Sequence, residues 1–204
     1  MLRSLIESHQ LPEGEVGDEW CEPRCAAIYR GPRNGWRPPA LSTPAATGDT
    51  SGRADASSGL DDVTARRRAD HQPYVAHLDG NPVAYGWSAG KEAAFGPQRT
   101  AFTVPDRNRY LWGFVPLLPW RGRGIYPRLL QAIITHERAK AERIWILHRW
   151  DNTASARGIQ KAGFSVVAQI CFLPDGGFGL IRAGTADRAD AGATVLGLPL
   201  IDVG

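Results

Sequence analysis

The sequence is poor in the features that mark secreted, membrane-spanning and metal-binding proteins. Its 204 residues include three cysteines, Cys21, Cys25 and Cys171, which do not make a disulfide framework. Cys21 and Cys25 are spaced to lie one helical turn apart, but His9 is the only further soft ligand near them, so we expect no metal site. No apolar run approaches the length of a membrane span, and the N-terminus turns acidic too soon for a secretory signal. We therefore expect a cytoplasmic protein that binds neither a metal nor a membrane.

A strong net charge is also absent, since the formal charge at pH 7 is only +3. This value is too small to predict a nucleic-acid partner. The charge is nevertheless uneven, because residues 1–22 carry six acids against one base, whereas residues 119–161 carry nine bases against three acids. Positive charge is therefore concentrated around one segment, which becomes the first candidate for a functional site. The sequence leaves homodimer formation open.

The first third of the chain carries little periodic pattern. Residues 38–62 are rich in Pro, Ser, Thr, Ala, Gly and Asp, a composition that buries too little apolar surface to offset its ordering entropy. We expect a flexible linker there, within a poorly patterned N-terminal segment over residues 1–70. Two short elements are expected inside that segment. One is a strand over 24–30, and the other is a solvated helical turn or linker over the charged residues 64–70, for which a nucleic-acid-binding patch is the functional alternative.

Regular patterning begins near residue 71. Two β-prone runs flank Asp79-Gly80, the strongest short-range signal for a hairpin. Alternating strands and helices then predict a single α/β domain over 71–183, with a mixed central sheet flanked by helices. The later predicted elements are strands over 109–115, 143–147, 164–172 and 178–183, helices from 125 to about 142 and from 152 to 163, an ambiguous strand or loop over 91–106, and a tail or edge strand over 184–204. The strands over 109–115 and 143–147 should be parallel, because a helix connects them.

The basic segment reads LPWRGRGIYPRLLQAI over residues 118–133. It joins a predicted strand to a helix, whose first backbone N–H groups lack partners and carry partial positive charge. Gly122 and Gly124 allow the backbone to curl around an anion, and Arg121 and Arg123 add charge. The segment fits either a phosphate or pyrophosphate site or a tight turn with solvated arginines.

Two nucleotide-binding motifs are excluded by what this segment lacks. A Walker loop needs Gly-Lys-Ser/Thr, which is missing. A dinucleotide fingerprint needs a third glycine where Pro127 stands, and an acid at the end of the next strand, which instead ends at His148 and Arg149. The remaining interpretation is a loop that binds the pyrophosphate of an acyl-CoA.

Three groups of residues resemble the GNAT family of N-acetyltransferases. The family's pyrophosphate loop, Arg/Gln-x-x-Gly-x-Gly/Ala, is similar to residues 121–126, which read RGRGIY. Its later Asn, at the start of the next helix, corresponds to Asn152, and its closing Gly-Phe pair corresponds to Gly163-Phe164. The likeness covers residues 73–183. It implies a GNAT-like domain whose parallel strand pair forms an acyl-CoA cleft.

The resemblance implies acetyl transfer from acetyl-CoA to an amine acceptor by direct attack. The backbone of the strand over 109–115 and its continuation would flank the pantetheine arm, with one N–H polarising the thioester carbonyl. Asn152 would hydrogen-bond the same arm, and it would also suit the role of a helix cap. The implied cofactor-binding residues are Phe114, Val115, Leu117, Arg121, Gly122, Arg123, Gly124, Ile125 and Asn152.

The sequence departs from the family's pattern at three positions. Tyr126 replaces the final small residue of the loop, which is expected to move the helix start away from the phosphates. Many relatives carry a tyrosine that protonates the leaving thiolate, and Ile159 stands at that position. Pro116 has no N–H to donate, although it lies near the end of the strand expected to bind acetyl-CoA.

An acceptor ammonium must lose a proton before it can attack. His148 is the first candidate base, because it ends the strand beside the cofactor strand and histidine titrates near neutral pH. The alternative is that His148 only packs at the strand end. Tyr85 and His77 lie on the predicted hairpin and are the next candidates to face the acceptor.

Two other functions remain open. The missing tyrosine acid leaves open the alternative that the domain is a CoA-binding module that catalyses no reaction. Alternatively, the same arginines would bind an anionic polymer. The identity of the amine acceptor cannot be read from this sequence.

Overall fold

The computed structural model describes residues 63–96 and 99–201, together with the backbone of a strand over 26–30. The predicted linker over 38–62 and the residues His9, Cys21 and Cys25 lie outside this range. Residues 63–68 are helical, and Leu118–Trp120 form a single turn of 3-10 helix. The strands and the other helices are β1 Ala26–Arg30, β2 His71–Leu78, β3 Asn81–Ala89, β4 Glu92–Phe95, β5 Thr100–Thr103, β6 Asn108–Pro116, α1 Ile125–Glu137, β7 Arg143–Arg149, α2 Thr153–Lys161, β8 Ser165–Phe172, β9 Phe178–Arg182, α3 Ala186–Leu196 and β10 Leu200–Ile201.

Eight of the described strands form one mixed sheet in the order β10-β9-β8-β1-β7-β6-β3-β2. Strands β6 and β7 are parallel, as their helical connection predicts, and β9 and β10 are the other parallel pair in this sheet. Strands β4 and β5 form a separate hairpin, which resolves the ambiguous stretch over 91–106. The Asp79-Gly80 turn between β2 and β3 has positive φ angles of 52° and 80°, as a two-residue primed turn requires.

Helices cover both faces of the sheet. Neighbouring residues of β7 point to opposite faces: Ile144 and Ile146 pack in one core with α1 and α2, whereas Trp145 packs in the other core with α3. The mixed sheet flanked by helices is therefore confirmed.

Strand β1 joins the two parts of the sheet. It pairs antiparallel with β7 on one side and with β8 on the other. The poorly patterned N-terminal segment therefore supplies one strand to the middle of the sheet, whereas the domain boundary near residue 70 stays a prediction.

Two predicted boundaries are wrong. Helix α1 ends at Glu137 rather than near Glu142, because the N–H of Glu142 donates to the Arg107 carbonyl at 2.7 Å and draws the chain into β7. Residues 186–196 form helix α3 instead of a tail or strand. Its buried face consists of Ala189, Gly192, Val195 and Leu196, and these mostly small side chains give a weak apolar pattern. Only the last part of 184–204 forms the expected edge strand, as β10.

Candidate functional site

Strands β6 and β7 separate at their carboxyl ends. Their register runs from Asn108 opposite Arg143 to Leu111 opposite Ile146 and stops there, although both strands continue. We call the space between residues 112–116 of β6 and 147–149 of β7 the strand gap. In open α/β sheets, ligands bind at the carboxyl ends of parallel strands.

A bulge shapes the β6 side of the strand gap. The pairing of β6 with β3 shifts between Tyr85 and Trp87, where Gly113 adopts a positive φ of 66°. An extra residue in one strand turns the following side chains. The Phe114 ring lies directly over Gly86, where any Cβ would overlap it.

The backbone donors of β6 are unequal. The N–H of Leu117 donates to the Val83 carbonyl at 3.0 Å, so it is engaged with β3. Alternate residues of a strand point their polar groups the same way, so the N–H of Val115 also points toward β3 and that of Phe114 points into the strand gap. Pro116 has no N–H, and its carbonyl accepts a hydrogen bond from Arg121 Nε at 3.2 Å.

Residues 121–124, the glycine loop, lead from β6 into α1. Gly122 and Gly124 have φ angles of 75° and 72°, a conformation that favours glycine, and a Cβ at either position would meet open space. Gly124 is the N-cap of α1, and neither a capping side chain nor an acid lies in the first turn. The first turn of α1 therefore presents its amides and its dipole to an anion without a capping side chain or an acid of its own.

Two arginines are held at the glycine loop although both are exposed. Arg121 is anchored through its bond to the Pro116 carbonyl. The guanidinium of Arg123 lies 5.1 Å from the centroid of the Trp120 ring, a contact that contributes about 0.5–1 kcal/mol at an exposed site. The loop therefore has its positive charge in place around the helix N-terminus.

Tyr126 points toward α2. Its ring lies against Gly158, where any Cβ would overlap it, and 5.4 Å from the Phe114 ring. Its hydroxyl lies 3.3 Å from Ser155 Oγ. Sequence reasoning missed the Gly158 contact; the signal that could have found it is a glycine in mid-helix, which costs stability unless something packs closely there.

Asn152 caps α2. Its Oδ1 accepts a hydrogen bond from the N–H of Ser155 at 3.0 Å, and its own N–H donates to the Arg149 carbonyl at 3.0 Å. The cap uses the side-chain oxygen, so the Nδ2 group is the part suited to a ligand. Because α1 and α2 follow the carboxyl ends of the parallel strands β6 and β7, their N-termini lie at the same end of the sheet. Neither helix carries an acid in its first turn.

His148 is tied to the same turn. It is half-buried, and its Nδ1 lies 2.5 Å from the Arg149 carbonyl, which also accepts from Asn152. A carbonyl requires Nδ1 to be the donor, so Nε2 is the basic nitrogen of the neutral ring. Burial lowers the pKa of His148 below 6.5, against smaller opposing effects of this hydrogen bond and of Asp151.

An ion pair fixes the turn between β7 and α2. Arg149 Nε donates to Asp151 Oδ1 at 2.9 Å, and its Nη2 donates to the other carboxylate oxygen. This bonding lowers the pKa of Asp151 and raises that of Arg149. Asp151 therefore stays ionised near His148.

The three candidate acid–base residues do not lie together. His148 alternates with Ile144 and Ile146, which pack in the α1-side core, so it points to that face. Tyr85 follows Ala84 of the same core and therefore points to the opposite face, while His77 is exposed beside the β2–β3 turn. Ile159 is fully buried.

The described part of the chain carries neither a cluster of metal ligands nor a membrane-spanning helix. Within it, no group of three or more His, Cys, Asp or Glu side chains is arranged to hold a metal ion. None of its helices is both long and apolar enough to cross a membrane.

No protein-family model matches the chain, and no curated protein matches it. Among solved structures, it is similar to a GNAT-family acetyltransferase from Colwellia psychrerythraea, with a TM-score of 0.50 and 14% identity over 70% of this chain and 53% of that protein. The aminoglycoside acetyltransferase AAC(6')-Ib, in complex with coenzyme A and kanamycin, gives a TM-score of 0.48 and 18% identity over 69% of this chain and 82% of that one. The ribosomal L7/L12 alpha-N-protein acetyltransferase RimL, in complex with coenzyme A, gives a TM-score of 0.43 and 19% identity over 58% of this chain and 63% of that one.

The likeness to the Colwellia psychrerythraea protein shows that the described domain has the GNAT fold. The fold expected from residues 121–126, 152 and 163–164 is therefore confirmed. The chain spans about half the length of that protein.

Proposed function

We propose that this protein transfers an acetyl group from acetyl-CoA to an amine acceptor by direct attack. The observation that carries the proposal is the meeting of two helix N-termini at the strand gap, neither of which has an acid in its first turn. One of them begins with an open loop of glycines and arginines, and the other begins with Asn152.

The glycine loop is suited to the pyrophosphate of the cosubstrate. Curled amides at Gly122 and Gly124 and the dipole of α1 favour a negative group. Arg121 and Arg123 add charge at the same place. Ile125 would contribute through its backbone, since it is the first residue of the helix.

The pantetheine arm would run along β6 beside Phe114, Val115 and Leu117, within reach of Asn152 Nδ2. Since the N–H of Leu117 is engaged by Val83 and Pro116 has none, the N–H of Phe114 would polarise the thioester carbonyl. A donor aimed at a developing oxyanion contributes about 2.7–4 kcal/mol to transition-state stabilisation.

In the transfer step, the neutral amine nitrogen attacks the thioester carbon, the C–N bond forms and the C–S bond breaks. His148 Nε2 would accept the proton that the acceptor nitrogen gives up. Its lowered pKa keeps the imidazole neutral at pH 7 and therefore able to accept that proton. Because Ile159 is apolar and fully buried, the leaving thiolate would take its proton from water.

The proposal is tested by measuring free thiol release from acetyl-CoA against a library of amines, together with the melting temperature in the presence of CoA. CoA should raise the melting temperature of the wild type by mass action. Gly124→Asp should abolish that rise, because its carboxylate enters the anion site. Gly176→Asp is the matched control, since Gly176 also has a positive φ of 83° and open space at its Cβ.

The buried Ile159 gives specific support to a second candidate, a CoA-binding module without turnover. A rise in melting temperature with no thiol release from any amine would select that module. Equal stabilisation of wild type and Gly124→Asp would refute the loop assignment. Steeply salt-dependent nucleic-acid binding lost on replacing Arg121 and Arg123 would select the anionic-polymer binder.

A further inference from the structure

A second cavity lies at the other end of β6 and α1. It has a volume of about 160 Å³ and is lined by residues from β2, β3, β6 and the end of α1. Helix α1 has 13 residues, so at about 1.5 Å per residue the two ends are roughly 20 Å apart. We call this space the distal cavity.

One wall of the distal cavity is a buried ionic network. Glu137, the last residue of α1, is 3% exposed. Its Oε1 accepts from the Tyr74 hydroxyl at 2.7 Å and its Oε2 accepts from Arg109 Nε at 3.1 Å. Burial and the neighbouring carboxylate raise the pKa of Tyr74. Both carboxylate oxygens therefore have partners, and the wall is rigid and polar.

A buried hydroxyl without a partner also lines the distal cavity. Ser88 is 1% exposed, and its Oγ is among the described side-chain atoms that are buried and make no hydrogen bond. Leaving such a group unsatisfied costs about 1–3 kcal/mol. Ser88 lies opposite Gln72 in the β2–β3 register, and both residues line the cavity. A polar ligand atom would satisfy this hydroxyl.

Charges of both signs surround the opening. Asp70 Oδ2 and Arg109 Nη1 flank Gly90, at 2.5 and 3.1 Å from the position a Cβ would take there. The Asp70 carbonyl accepts from the Gly90 N–H, which holds this turn in place. Lys140 adds a second cation. Besides His136, the lining carries two carboxylates, of Asp70 and Glu137, and two cations, of Arg109 and Lys140. This balance favours a net-neutral ligand over a free anion.

We propose that the distal cavity binds a small zwitterion of the free α-amino-acid class. Its ammonium group would face Asp70, and its carboxylate would face Lys140 and the Nη2 group of Arg109. The Nε and Nη1 groups of Arg109 are engaged by Glu137 and by the Asn108 carbonyl. Ser88 Oγ would complete the hydrogen bonds. The inference does not depend on acetyl transfer, because none of these residues lies at the strand gap.

The test uses the full chain and four probes that separate the two charges: L-alanine, propionate, ethylamine and inorganic phosphate. Binding is followed by calorimetry and by the melting temperature. L-Alanine should bind, whereas propionate and ethylamine should bind at least tenfold more weakly. Asp70→Asn should weaken L-alanine binding at least tenfold without straining the backbone, since asparagine tolerates the positive φ of 63° at this position. Lys140→Gln should weaken it as well.

Arg138→Gln is the matched control, because Arg138 is an exposed cation two residues from Lys140 that does not line the cavity. His148→Gln should bind L-alanine as the wild type does, which separates this cavity from an acceptor site at the strand gap. The proposal is overturned if L-alanine fails to bind, if phosphate binds more tightly than L-alanine, or if Asp70→Asn leaves L-alanine binding intact.

Discussion

The two ends of β6 differ in the polar groups that they expose and bury. At its carboxyl end, the strand leaves β7, and the chain presents glycines, backbone amides and exposed arginines. At its amino end, β6 stays paired with β7, and polar side chains are buried in mutual contact. Arg109 meets Glu137 there, and Trp145 Nε1 donates to Asn108 Oδ1 at 2.7 Å. We call the amino end of β6, where buried side-chain networks hold it against β7, the closed end. We call its carboxyl end, where the two strands separate and backbone groups are exposed, the open end.

The largest expected effect comes from breaking the closed end. Glu137→Leu removes the partner of both Tyr74 and Arg109, whose side chain is 19% exposed. Leaving one member of a buried pair uncompensated costs about 3–5 kcal/mol. The free energy of unfolding, measured with urea, should fall by about that amount.

The control for Glu137→Leu is the double variant Glu137→Leu with Arg109→Met. Replacing both members of a buried ion pair by apolar groups is often neutral, so the double variant should recover the part of the loss that comes from the unpaired Arg109. The part that comes from the Tyr74 hydroxyl, about 1–3 kcal/mol, should remain. A double variant that is less stable than Glu137→Leu would mean that packing, not the unpaired cation, explains the effect.

The open end is probed by His148→Gln, which should lower kcat/KM about a hundredfold, the lower bound for a general base. Burial lowers the pKa of His148, so the imidazole becomes charged and inactive as a base only below pH 6.5, and the acid limb of wild-type kcat/KM should lie below that pH. The same shift means that the unfolded chain takes up this proton first, so stability contributed by His148 is lost as the pH falls from 6.5 through the lower pKa of the folded state. Loss of the acid limb in His148→Gln, with CoA binding retained, is the decisive measurement. A glutamine variant with near-normal turnover would redirect the search to Tyr85 and His77.

The contact between the two helices is the next test. Gly158→Ala places a Cβ where the Tyr126 ring lies. Overpacking of this kind costs about 1–3 kcal/mol, despite the better helix propensity of alanine. Tyr126→Ala removes the ring that the new Cβ would overlap. It should therefore lower the stability of the Gly158→Ala variant by less than it lowers the stability of the wild type. Additive effects, seen in thermal unfolding, would show that the two residues do not press on each other.

Sequence patterns predicted the open end better than the closed end. Gly122, Gly124 and Asn152 act through backbone geometry and local capping, and such short-range requirements leave a motif. The distal cavity depends on residues such as Tyr74 and Glu137, which are 63 positions apart in the chain. No local pattern marks such a pair. Helix α3 is hard to predict for a related reason, since its short buried face of Ala189, Gly192, Val195 and Leu196 is defined only by the sheet beneath it.

The smallest expected effect tests whether the Asn152 side chain both caps α2 and binds the pantetheine arm. Asn152→Asp keeps an oxygen to accept from the Ser155 N–H, so the cap survives, but it removes the Nδ2 donor. Asn152→Ala removes both, at a cost of about 1 kcal/mol for the lost cap. If Asn152 also binds the pantetheine arm, both variants should raise the KM for acetyl-CoA several-fold, whereas only the alanine variant should lower the melting temperature. Asn152→Asp also sets a new negative charge beside the ion pair of Arg149 and Asp151, so Asn152→Ser, a neutral residue that caps equally well, is the second control. A serine variant with unchanged KM and unchanged stability would reduce Asn152 to a helix cap.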